Sequence, residues 1–85
     1  MKFVHYEFDL DSDDAVEVRL DRQANVRLLD EENFQLYRSG QAYTFYGSWA
    51  TVSPFMLGAP YAGHWHLVID LGSYAGNVSA WARVV

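Results

Sequence analysis

His64 and His66 lie in the run Gly63-His-Trp-His-Leu-Val-Ile-Asp-Leu-Gly72, and their spacing is the first feature that could do chemistry. From His64 to Leu71 the run alternates. Trp65, Leu67, Ile69 and Leu71 fall on one face of a strand, and His64, His66, Val68 and Asp70 on the other. Residues two apart on a strand project to the same side, an arrangement that suits two ligands of one zinc ion. A catalytic zinc also needs a third protein ligand and an open position. Asp70 shares the face but lies about 13 Å along the strand, too far to join. His5, Glu7 or Asp9 supplies the third ligand only if the first strand lies beside this one. No third ligand is legible from spacing alone. The expectation is therefore two outward polar histidines, no bound metal and no cofactor.

Other chemistries find less support. Asp9, Asp11, Asp13 and Asp14 resemble the start of a calcium loop. Asp14 occupies the place of the turn glycine, however, and Leu20 the place of the bidentate glutamate. A solvated acidic loop is expected instead. The chain has no cysteine, which excludes a thiolate nucleophile, a disulfide and a cysteine metal site. Gly47-Ser48-Trp49 and Gly72-Ser73-Tyr74 are not nucleophile elbows. The only lysine is Lys2, and no glycine-rich phosphate loop opens a helix. No catalytic residue is assigned, and the chain is expected not to be an enzyme.

Aromatic side chains are the remaining candidates. They make up 16% of the chain, more than one small core needs. Alternation points Phe3, Tyr46 and Trp81 away from the core and leaves Tyr61 and Tyr74 in loops. Rings on a β surface stack on sugars or bury against a partner. Trp81, Tyr61, Tyr74 and Tyr46 are thus the expected partner or ligand surface.

The elements that must position these residues are short. Strands are expected near residues 2–8, 15–20, 25–29, 42–50, 52–57, 64–71 and 77–84. Val4, Tyr6 and Phe8, then Val16, Val18 and Leu20, then Val26 and Leu28, carry the inward faces. Gly47 is expected to mark a bulge, and Pro54 demotes its strand to an edge. Between Asp30 and Gly40 the pattern changes. Asp30 is a good N-cap, Glu31 and Glu32 fill the first turn, and Phe34 and Tyr37 are three apart. This predicts a short helix over one end of the sheet. The whole reads as an all-β chain, an antiparallel β-sandwich or partly open barrel of about seven strands.

Eighty-five residues support one domain, 1–85, because a second core could not be buried in what remains. The net charge is −5, and the six basic residues are all isolated from one another. A phosphate backbone or an anionic membrane would be repelled, so neither nucleic acid nor membrane is an expected partner. The start of the chain has no apolar h-region, no run approaches membrane-spanning length, and the lack of cysteine fits the cytoplasm.

Several stretches carry a resemblance that spans essentially the whole chain. They are the opening Met-Lys-Phe-Val-His-Tyr, Asn25 to Phe34, the Tyr-rich Tyr43 to Gly47, and above all Gly63 to Gly76. Together they resemble the bacterial domain-of-unknown-function family numbered 1883. The resemblance implies a small all-β domain, one that occurs alone or joined to a signalling domain of the TIR type. It implies no activity, cofactor or catalytic residue. The leading expectation is a non-enzymatic cytoplasmic interaction module that forms a homo-oligomer. A zinc site on His64 and His66, or a carbohydrate or small-ligand site on the surface rings, are the alternatives.

Overall fold

Alternation of apolar and polar residues builds seven strands, and one capped segment builds a helix. In chain order they are β1 (Val4–Leu10), β2 (Ala15–Leu20), β3 (Ala24–Leu29), α1 (Glu31–Arg38), β4 (Tyr46–Ala50), β5 (Phe55–Gly58), β6 (Gly63–Asp70) and β7 (Ala80–Val84). The computed structural model describes residues 2–85. All pairings are antiparallel. One sheet has the order β1-β6-β3-β4 and the other β5-β2-β7. The sheets do not close on one another, so the architecture is a sandwich rather than a barrel.

The core lies between the sheets. Trp65, Leu67 and Ile69 of β6 meet Val26 and Leu28 of β3 and Val16 and Val18 of β2. Val4, Tyr6 and Phe8 of β1 pack against them, as their alternation requires. The Tyr6 hydroxyl donates to the Ala80 carbonyl at 3.0 Å and ties β1 to β7 across the gap.

The helix begins where its cap lies. The Asp30 carboxylate accepts from the Asn33 amide at 2.8 Å, which satisfies an otherwise orphaned donor of the first turn. Its position differs from the expectation. It covers the outer face of the four-stranded sheet rather than one end. Phe34 and Tyr37 pack on Leu29 and Val68, with Phe3 and Tyr43 alongside, and make a second small core. Beyond His64, every residue of β6 is therefore buried, on both faces. Periodicity identified the two faces of this strand. It could not tell that the more polar one is roofed.

Smaller corrections follow from backbone chemistry. β4 starts at Tyr46, so Tyr43 and Phe45 precede the strand. β5 starts after Pro54, which lacks the N–H a ladder needs, and β7 starts at Ala80. Gly47 makes no bulge, since the register runs unbroken from Leu28↔Tyr46 to Ala24↔Ala50. Its φ is +131°, and an added Cβ would collide with the Val26 carbonyl oxygen. Glycine stands there because the neighbouring strand leaves no room. Among the described residues, no helix is long and apolar enough to cross a membrane.

Candidate functional site

β1 does lie beside β6, in a register that sets Glu7 opposite His66 and Asp9 opposite His64. His5, Glu7 and Asp9 alternate along β1 and share the outer face with both β6 histidines. Five imidazole and carboxylate side chains therefore share the face on which α1 begins.

His66 is buried, with only 3% of its surface exposed. The Phe34 ring stacks on it at 4.1 Å between centroids, tilted by 3°, and stacks on His5 at 4.4 Å. His66 Nε2 lies 2.8 Å from a carboxylate oxygen of Glu31, the first residue of α1. Hydrogen bonds from Gln35 and His66 hold Glu31 below the usual glutamate range, so it is an ionised acceptor. His66 Nε2 must then carry the proton and donate. In neutral His66 this leaves Nδ1 with its lone pair, facing His5 Nε2 at 2.8 Å. A directed chain results, in which His5 donates to His66 and His66 to Glu31. Burial, then the neighbouring His66, lowers the His5 pKa and favours its neutral form.

His64 has a different role. Its Nδ1 is 2.7 Å from Asp9 Oδ1 and its Nε2 is 3.0 Å from Glu7 Oε1. Carboxylates only accept, so both ring nitrogens are donors and the ring is an imidazolium. The two hydrogen bonds, to Asp9 and then Glu7, raise its pKa. His64 thus engages both potential ligand atoms with carboxylates. The ligand atoms that approach one another belong to His5, Glu7 and His66, all within 4.8 Å. Asp11, Asp13 and Asp14 also cluster, but in the loop between β1 and β2, where Asp14 already accepts from the Asp11 amide.

Asp70 sits further along the same face, as its spacing required, and belongs to another network. Its Oδ2 accepts from the Tyr37 hydroxyl and from Arg27 Nη1, each at 2.6 Å. Its Oδ1 accepts from Asn25 Nδ2 at 2.9 Å and the Gly72 amide at 2.8 Å. Burial pushes the Asp70 pKa up, but the Tyr37 and Asn25 hydrogen bonds and the Arg27 charge outweigh it, and the net shift is downward. Burial and Asp70 together push the Tyr37 hydroxyl far up. This network fastens the helix to the sheet.

The candidate surface rings do not form one platform. Tyr46 and Tyr61 both rest on Trp65, at 5.7 and 4.8 Å between centroids. Tyr46 opposes Leu28 and so faces the core side, contrary to expectation. Phe3 does point away from the inter-sheet core, but the helix covers it, against Phe34 and Tyr37. Tyr74 leans on Trp49 at 5.4 Å, beside an open groove of about 960 Å³ between the start of β1 and residues 71–78. Trp81 stands apart on the outer face of the three-stranded sheet. It is 64% exposed, opposite Arg19 and two residues from Arg83.

With the geometry described, the comparison with family models decides the membership. The model described as "Domain of unknown function (DUF1883)" matches residues 1–84. The chain belongs to the DUF1883 family. Comparison with curated proteins and with solved structures finds no match. Membership in DUF1883 therefore brings no activity with it, and the residues themselves must carry any reading of function. Of these, Glu31 is the one that sequence reasoning placed only as a helix-start acid. The signal was there in the Asp30 cap, which fixes where the first turn begins, but not what the helix would cover.

Proposed function

We propose that this DUF1883 domain is a non-enzymatic interaction module whose partner is a second copy of the chain. The docking surface is the outer face of the three-stranded sheet. The observation that carries the reading is Trp81, 64% exposed on the edge strand β7 of an uncovered sheet face, while the opposite sheet is roofed by a helix. Solvent-facing tryptophan is depleted on monomers and enriched at interfaces.

The charges around it favour a like partner. Glu17 accepts from Arg83 Nε at 3.0 Å and from Arg19 Nε at 3.4 Å. The face thus carries both signs along β2 and β7, with Met56 on the β5 edge and Trp81 on the β7 edge. Under two-fold symmetry each arginine can meet the opposite Glu17, so the patch is complementary to itself. A three-strand face of this length offers only about 300–500 Å² per chain, well below the roughly 800 Å² of a stable interface. The association is accordingly weak and reversible, suited to bringing chains together rather than holding an obligate dimer. The absence of cysteine suits a cytoplasmic setting for such a module.

Sedimentation across a concentration series tests this. A species heavier than 9.7 kDa should appear as concentration rises into the hundreds of micromolar. Trp81→Ala should abolish it, and so should Arg83→Glu, which replaces attraction by repulsion across the interface. A strict monomer up to the millimolar range overturns the proposal, as does self-association that both variants leave intact.

A further inference from the structure

We propose that His5, Glu7 and His66 form a binding site for one divalent cation of the zinc class, with Glu31 as the residue that positions His66. This site lies on the opposite sheet from Trp81 and is independent of the docking surface.

The argument starts from which atoms are aimed where. His66 is held rigidly, buried on both sides and stacked against Phe34. Glu31 engages its Nε2 at 2.8 Å, which turns the lone pair of Nδ1 towards β1. A carboxylate that binds one ring nitrogen and directs the other at a metal is the usual support for a histidine ligand. Here that support comes from a different element, so the helix must dock before the ligand is aimed. His5 presents Nε2 at 2.8 Å from His66 Nδ1, and Glu7 Oε1 lies 3.8 Å from the same nitrogen. Two imidazole nitrogens and one carboxylate oxygen are a ligand set that zinc accepts.

The fit requires only small movements. At zinc bond lengths of about 2.0–2.1 Å, tetrahedral ligand atoms lie about 3.3–3.4 Å apart. The two nitrogens must separate by about 0.6 Å, and the Glu7 oxygen must approach by a similar amount. Both movements fall on His5 and Glu7, the exposed members, while buried His66 stays fixed. The proton His5 shares with His66 moves to its other ring nitrogen, which frees Nε2 to coordinate. Glu7 is shared with His64, so coordination draws on an oxygen that His64 now holds at 3.0 Å. The fourth position faces solvent, because His5 and Glu7 are both exposed.

Calorimetric titration of zinc chloride into protein without a histidine tag tests the site, with thermal melts of the metal-free variants as a fold check. Wild type should take up one equivalent and melt at a higher temperature when loaded. His66 is buried, so the informative variants are at exposed residues. His5→Ala should weaken zinc at least tenfold. Glu31→Ala should weaken it about 10- to 100-fold; its metal-free melt should be lowered, because His66 Nε2 loses its acceptor, but should stay cooperative. His64→Ala should bind as well as wild type or better, because Glu7 is released. No saturable uptake by wild type overturns the proposal. So does zinc that His5→Ala retains and His64→Ala loses.

Discussion

The two outer faces of the sandwich have similar sequence patterns and opposite fates. On β2 and β7 the outward residues Glu17, Arg19, Trp81 and Arg83 remain at the surface. On β3 and β6 the outward residues Arg27, His66, Val68 and Asp70 lie beneath α1, the last three almost fully buried. Every one of these strands alternates. What separates the faces is a single capped helix of eight residues lying on one of them. Polar groups under the helix must be answered by partners, and Asp70 accordingly accepts four hydrogen bonds. Polar groups on the bare face need no such answer. There Glu17 and two arginines pair loosely at the surface, where ion pairs contribute little. One outer face has become a second interior, and the other stays bare.

Substitutions can break this comparison, beginning with the layer both faces share. Trp65→Ala removes the largest fully buried side chain and should cost about 3–5 kcal/mol. An unchanged melting temperature would mean the core is not where the sheets meet. Asp70→Asn comes next. It removes the charge that Arg27 answers and one of two acceptor oxygens, so one pair of the four donors loses its partner. It should cost about 2–4 kcal/mol, less than for a fully buried pair because Arg27 keeps some exposure. Denaturant unfolding measures both.

The same residue gives a pH test. Folding lowers the Asp70 pKa, so its contribution is fully present above the unfolded value of about 3.9. It is lost as pH falls through the depressed native value. The stability gap between wild type and Asp70→Asn should therefore be constant near neutrality and close on acidification below about pH 4. A gap that widens in acid would contradict the network. Trp81→Ala, on the bare face, should change monomer stability least, by under about 1 kcal/mol. A large loss would mean that Trp81 packs where it is drawn as exposed.

How much of this was legible in the sequence depends on which contact a residue answers to. Trp65, Leu67 and Ile69 were readable because strand alternation is a local rule and the core side is its apolar half. The start of α1 was readable from Asp30 for the same local reason. The burial of His66 and Asp70 was not, because it depends on where the helix lands, a contact across 35 residues for Glu31 and His66. An aspartate at the end of an apolar run, matched by Arg27 inside another, was the available hint, since unpaired charges are not buried. Gly47 was misread for a related reason. Sequence marks a glycine but not the Val26 carbonyl that excludes a side chain there. The candidate rings Tyr46, Tyr61, Tyr74 and Trp81 scattered over three places, because alternation assigns a face and says nothing about proximity.

The asymmetry of the two faces is tested most directly by backbone amide NMR spectra recorded over a concentration series. Self-association through the bare face should shift amides of β2 and β7 around Glu17, Arg19, Trp81 and Arg83 as concentration rises. Amides of β3, β6 and α1 should stay fixed. Concentration-dependent shifts confined to β3, β6 and α1, or none at any concentration, would contradict the account.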